Sequence, residues 1–263
     1  MQLDLEFARG PDGRTELARR RVSYPWSLTR PFYLDDAPAD MATVVPQSSA
    51  GGLYAGDRIV QQVQVAAGAT AHVTTQGATV ANAGRDGRHT ENTWQLAVAA
   101  DGWLEVMNDP VVLFPDSDLR QRVAIDAAGI CVYSESIGWH PEPIFRRYQT
   151  EITVHRAGQL LALERVDIAA TDIIRETAAA PDPLGGVGLM LFLNVDAEAV
   201  AQALRPHVAE DRIGIGILPN DAGLAVRIAA PTLGAVPKLQ QQLWAAFRTF
   251  ITGINPASRR KGA

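Results

Sequence analysis

The sequence predicts a mainly β chain, stacked β-ribbons in β-helix-like layers with two C-terminal α-helices, and three observations predict it. Runs of alternating apolar and polar residues are separated by short turns throughout residues 58–167. The turn glycines Gly68, Gly102, Gly129 and Gly158 recur 34, 27 and 29 residues apart, the loose repetition expected of similar units laid on one another. Pro237–Thr252 carries Leu239, Leu243, Phe247, Phe250 and Ile251 at helical spacing. A β-sandwich fits the same pattern, because the units differ in sequence.

Residues 1–50 hold strand-like pieces at Leu3–Phe7 and Thr15–Val22, interrupted by Pro25, Pro31, Pro38 and Pro46, and form an irregular entry to the sheet. The turn Gly51-Gly52-Leu53-Tyr54-Ala55-Gly56-Asp57 then leads into Arg58–Val65, and Ala66-Ala67-Gly68 leads on to Ala69–Gln76. The pair is expected to be a β-hairpin. In its second strand Thr70, His72, Thr74 and Gln76 share one side of the pleat, a polar row that a solvated sheet face would expose. Trp94–Val98 with Trp103–Met107, Leu119–Ile125 with Ile130–Ser136, and Arg146–His155 with Gln159–Asp167 are expected to be further ribbons.

Past residue 180 the pattern changes, within what is expected to be a single domain over 1–263 with a β-stack at 1–180 and a C-terminal part at 181–263. Val187–Val195 is an almost unbroken apolar run, as in a buried strand. Asp196 is placed to cap a helix over Asp196–Leu204 that stops near Pro206. Strands follow at Arg212–Leu218 and Leu224–Ala229. In the last helix Pro237 suits the first turn and Gly253 the stop.

The composition excludes several functions. Of 263 residues, 47% are hydrophobic and 20% charged, and the formal net charge of −5 argues against a nucleic-acid surface. The basic cluster Arg259-Arg260-Lys261 reads as a solvated tail. No apolar run approaches the ~20 residues a membrane helix needs. The acidic start Met1–Phe7 is unlike a signal peptide, and the single cysteine, Cys131, fits a reducing compartment, so the expected location is cytoplasmic.

Chemistry-bearing motifs are sparse. The Gly51–Gly56 segment lacks the lysine of a phosphate-binding loop and precedes a strand. No serine-nucleophile elbow occurs, and His72, His89, His140, His155 and His207 form no paired ligand spacing. Asp57 either bonds its own turn or serves as a functional carboxylate. Asp109, Asp116 and Asp118 flank Val111–Pro115; they are turn formers, or the acids of a β-solenoid hydrolase or lyase acting on a polar polymer.

Four segments in order resemble one family. Gly13-Arg14-Thr15 with Pro25 and Pro31-Phe32, the Gly51–Gln76 stretch ending in Thr74-Thr75-Gln76, Asn108-Asp109-Pro110-Val111-Val112-Leu113-Phe114-Pro115-Asp116-Ser117, and Tyr133-Ser134-Glu135 with Gly138 are similar to the urease accessory proteins called UreD or UreH. That resemblance favours the stack over the sandwich. It implies a non-enzymatic scaffold that takes part in nickel insertion into apo-urease, with no tightly bound cofactor and nickel held only transiently. The partners it implies are a helical, UreF-like accessory protein, a UreG-like GTPase and apo-urease. It also suggests Asp57, Glu135 and His72 as groups along a transient nickel route.

Overall fold

Two β-sheets face each other in the computed structural model, which describes residues 1–83, 87–139, 144–177, 184–208 and 212–258. The chain enters through β1 (Leu3–Arg9), β2 (Thr15–Val22), β3 (Trp26–Leu28), β4 (Ala42–Val44) and β5 (Pro46–Ser48). It then winds through β6 (Arg58–Val65), β7 (Thr70–Thr74), β8 (Thr79–Ala81), β9 (Thr90–Val98), β10 (Trp103–Met107), β11 (Val111–Leu113), β12 (Asp118–Ala127) and β13 (Ile130–Trp139). After β14 (Arg147–Arg156) and β15 (Gln159–Ala169) come α1 (Ala170–Thr177), β16 (Gly186–Leu193), α2 (Ala197–Leu204), β17 (Ile213–Ile217), β18 (Gly223–Ala230) and α3 (Ala235–Thr252). The expected β-stack with C-terminal helices is present, and α1 is a helix the sequence did not announce. His140 and the basic cluster at 259–261 lie outside the described residues.

One sheet has the order β15-β14-β12-β9-β6-β1-β2, and the other runs β17-β18-β16-β13-β10-β7-β4, with β11 beside β13 and β8 beside β11. The pairings β1–β6, β6–β9, β9–β12 and β12–β14 are parallel, as are β4–β7, β7–β10 and β10–β13. Three of the expected ribbons are therefore corrected. β6 and β7, β9 and β10, and β12 and β13 do not pair with each other; each turn carries the chain from one sheet to the other. The turn backbones bond to the rung below instead of across a hairpin: Ala99 N–H donates to Val65 O (2.9 Å), Trp103 N–H to Ala69 O (2.9 Å) and Ile130 N–H to Gly102 O (2.9 Å). At Gly129 the turns approach so closely that a Cβ would lie 2.2 Å from Gly102 O. Of the four expected ribbons, β14 and β15 alone pair as a hairpin, with Ala157 (φ 51°) and Gly158 (φ 79°) as the two-residue loop.

In-register stacking aligns like positions into ladders. Leu5, Val63, Leu96, Ile125 and Val154 form one apolar ladder between the sheets, and all five are buried. The outer face of the second sheet is covered by α2 and α3. Asp196 caps α2 as expected, its Oδ1 accepting from Ala199 N–H at 3.1 Å.

The polar row of β7 is not solvated, a second correction. His72 is buried because α3 lies over that face. Its Nδ1 is 2.7 Å from Glu105 Oε2, and the same oxygen accepts from Trp244 Nε1–H at 2.8 Å. Arg248 Nε–H donates to Glu105 Oε1 at 2.7 Å, and Arg248 Nη2–H to Asp35 Oδ2 at 3.0 Å. The guanidinium also stacks against Trp103 and Trp244, at 5.1 and 5.4 Å from the ring centroids.

This ion cluster shifts the buried stripe of α3 from the one expected. Val236, Gln240, Leu243, Trp244, Phe247 and Arg248 face inward, leaving Phe250 46% and Ile251 37% exposed. Phe247→Ala is expected to cost about 3–5 kcal/mol and Phe250→Ala less than about 0.5, both measured by chemical denaturation. Arg248→Leu strands two buried carboxylates and should cost about 3–5 kcal/mol in the same assay.

Candidate functional site

The inward positions of the parallel strands are not uniformly apolar. Asn92 on β9, Gln121 on β12 and Thr150 on β14 occupy one ladder across three rungs, beside the apolar ladders. Gln61 Nε2–H donates to Asn92 Oδ1 (2.8 Å), Asn92 Nδ2–H to Gln121 Oε1 (2.9 Å) and Gln121 Nε2–H to Glu135 Oε2 (2.5 Å). Tyr133 OH also donates to that oxygen at 2.9 Å, while Tyr148 OH reaches Glu135 Oε1 at 3.4 Å. A chain of amides thus crosses the interior and ends on one carboxylate.

The amides line a hollow between the sheets, with Asp109 and Asn108 on its far wall. A second hollow shares Glu135, Ser136, Ile137 and Tyr148 with the first; it opens between β15 and β17 and is walled by Val166, Ile168, Leu189 and Ile228. A third shares Trp26, Thr75 and Thr79 with the first and opens at the Gly51-Gly52 turn and Gln76–Ala78. Glu135 lines both the first and the second hollow, and the first also shares wall residues with the third, so the three adjoin in series. Gln61 Oε1, Asn108 Oδ1 and Ser136 Oγ, all on the first hollow, are buried without a protein hydrogen-bond partner. Buried acceptors of this kind mark a space that holds water or a polar guest.

The setting tunes Glu135. Burial pushes its carboxyl up to about 7, against the hydrogen bonds from Tyr133, Gln121 and Tyr148. Tyr133 and Tyr148 are raised well above ordinary phenols, first by burial and then by the neighbouring carboxylate. Glu105 behaves oppositely. Burial raises it, but the hydrogen bond from His72, the charges of Arg248 and His72, and the Trp244 N–H together bring it below the usual carboxylate range.

Asp57 and His72 lie apart from the three hollows. Asp57 Oδ2 accepts from Tyr54 N–H (2.9 Å) and Asp57 N–H donates to Tyr54 O (2.9 Å), the geometry of a residue shaping its own turn. His72 is on the outer face of its sheet, under α3. Among the described residues no group of three or more His, Cys, Asp or Glu converges to hold a metal ion. The Cys131 thiol is buried and pushed up to about 12, by burial and by Glu105. The turn aspartates each have a local engagement: Asp109 accepts from Thr75 Oγ1–H (2.8 Å), Asp118 from Arg146 Nη2–H (3.0 Å), and Asp116 adopts φ 56° within its turn.

Comparison with known proteins decides the family. A profile of the UreD urease accessory proteins matches residues 1–263. The chain belongs to the UreD family. Among its relatives, urease accessory protein UreD 1 of Methylorubrum populi is 34% identical over 99% of this chain and 92% of its own length. UreD 1 of a Bradyrhizobium species is 33% identical over 95% of this chain and 91% of its own length. UreD 1 of Pseudomonas syringae pv. syringae is 30% identical, covering 98% and 94% respectively. The resemblance carried by the four segments is thus one of family.

Sequence reasoning missed Gln61, Asn92, Gln121 and Glu105. The signal for two of them was parity: Asn92 shares its side of the strand with Trp94 and Leu96, and Gln121 with Val123 and Ile125, so each is a polar residue on an apolar face.

The raised carboxyl of Glu135 makes stability depend on pH. Between the ordinary carboxylate value and about 7 the folded chain holds a proton that the unfolded chain has lost, so stability falls as pH rises and the penalty is complete above that window. Glu135→Gln removes the penalty, worth up to roughly 3 kcal/mol from the shift of Glu135 to about 7. Calorimetry should find the variant melting above the parent at pH 8, with the gap closing toward pH 5.

Proposed function

We propose that this UreD-family protein is a non-enzymatic scaffold required for nickel insertion into apo-urease, and that nickel crosses it through the three hollows past Glu135. The single observation that carries the route is a buried carboxylate in the shared wall of two hollows, the first of which adjoins the third. A carboxylate is a hard oxygen donor suited to a divalent cation. Nickel here is cargo, so no tightly bound cofactor is needed.

Family membership supports a working complex with a helical UreF-like protein, a UreG-like GTPase and apo-urease. The exposed Phe250 and Ile251 on α3 offer apolar surface for such contacts. A single buried, reduced Cys131 suits the cytoplasm. Geometry favours Glu135 over Asp57 and His72 as the group on the route, because neither of the latter lines a hollow.

Deleting the gene should leave urease present but poor in nickel, measured by metal analysis of the purified enzyme; full nickel occupancy would overturn the proposal. In the same cells Glu135→Gln should lower urease activation while accessory complexes still form on a sizing column. Asp57→Asn should activate like the parent.

A further inference from the structure

We infer that the cation passes the first hollow with its water shell intact, held by Glu135 and neutral oxygens through water rather than by direct coordination, so that this protein does not choose among divalent cations. The inference rests on the route proposed above and concerns how that route handles its cargo.

The donor set is the first support. Among the described residues that line the three hollows there is no histidine, cysteine or methionine. Nickel is distinguished from magnesium or calcium by nitrogen and sulfur ligands, whereas carboxylate, amide and hydroxyl oxygens bind all of these ions. An oxygen-lined passage holds cations by charge and gives little selectivity by kind.

Coordination capacity is the second. Stripping water from a small divalent cation needs several ligands arranged to replace it. No group of three or more His, Cys, Asp or Glu side chains converges among the described residues. The oxygens of Glu135 are already engaged by Gln121 (2.5 Å), Tyr133 (2.9 Å) and Tyr148 (3.4 Å), and Asp109 Oδ2 by Thr75 (2.8 Å). A bare ion would have to displace these donors. A hydrated ion, which offers hydrogen bonds, can be added to the remaining lone pairs.

The third support is the pattern of open acceptors. Gln61 Oε1 and Ser136 Oγ belong to residues only 1% and 3% exposed, and with Asn108 Oδ1 they face the hollow without a protein partner. They are placed to receive the outward-pointing hydrogens of a cation's water shell. Selection of nickel then belongs to whatever component loads the route.

Hexaamminecobalt(III) separates the two modes, since its ligands do not exchange and it can bind only through the hydrogens of its shell. The full-length protein, purified with its accessory partners, would be titrated by calorimetry with this complex, with Ni(II) and with Mg(II). The expected result is mutual competition for one site, Ni(II) and Mg(II) binding within about tenfold of each other. Glu135→Gln, checked for folding by circular dichroism, and Asp109→Asn should each weaken all three by at least tenfold. Ni(II) binding that the cobalt complex fails to displace, Ni(II) preferred over Mg(II) by much more than tenfold, binding unaffected by both substitutions, or no binding of any probe would overturn the inference. A deletion strain whose urease lacks nickel would leave the scaffold role standing in every case; failed displacement by the cobalt complex or a strong Ni(II) preference would remove only the claim about the water shell, whereas binding unaffected by both substitutions, or no binding, would remove the route past Glu135 as well.

Discussion

Parallel in-register stacking is the constraint on which the rest of this structure depends. Each passage of the chain must rise by one strand spacing, ~4.8 Å, and land with its side chains over those of the passage below. Whatever chemistry occupies one rung is therefore repeated by its neighbours. Apolar positions become ladders such as Leu5, Val63, Leu96, Ile125 and Val154. The same rule turns single polar positions into the row of Asn92, Gln121 and Thr150, and a row of polar groups between two sheets cannot close as tightly as an apolar one. The hollows follow from the stacking, and Glu135 from the second sheet meets the row where it ends.

A second dependence runs from the outer face inward. Glu105 faces away from the hollows, toward α3, yet its carboxylate gathers His72, Trp244 and Arg248, and through Arg248 it reaches Asp35. An isolated carboxylate in such a place would be costly, and the cluster offsets that cost with charge-assisted hydrogen bonds of 2.7–3.0 Å. The arrangement fixes the register of α3 on the sheet more narrowly than apolar contacts alone, because a guanidinium has a direction and a leucine does not. Gln240 completes the alignment by donating to the backbone oxygen of Glu135 at 2.8 Å, which ties the helix directly to the strand that carries the acid at the junction.

Much of this was legible in the residues. Strand positions, the turn glycines, the cap at Asp196 and the last helix all rest on local rules of spacing and capping, and these rules held. What failed was pairing. A turn such as Ala66-Ala67-Gly68 has the composition of a hairpin loop, but composition does not say whether the next strand returns to the same sheet or crosses to another. The burial of His72 failed for a related reason: period two assigns a residue to a face correctly, while what covers that face is decided by residues more than 170 positions further on. Glu135 was reached through the Tyr-Ser-Glu resemblance. The amide row that holds it was readable from parity: Gln121 already lay within the expected strand Leu119–Ile125, and Asn92 needed only the strand at Trp94–Val98 to be extended backward.

The late position of Arg248 in the chain has a consequence for biosynthesis. During translation the stacked sheets can form before α3 leaves the ribosome, and for that interval Glu105, His72 and the indole of Trp103 face solvent. The nascent protein thus carries an uncovered acidic and aromatic surface that disappears only when the final helix settles. A chain truncated before Arg248 would keep every rung of the stack and still present that surface to the chaperones and proteases of the cell.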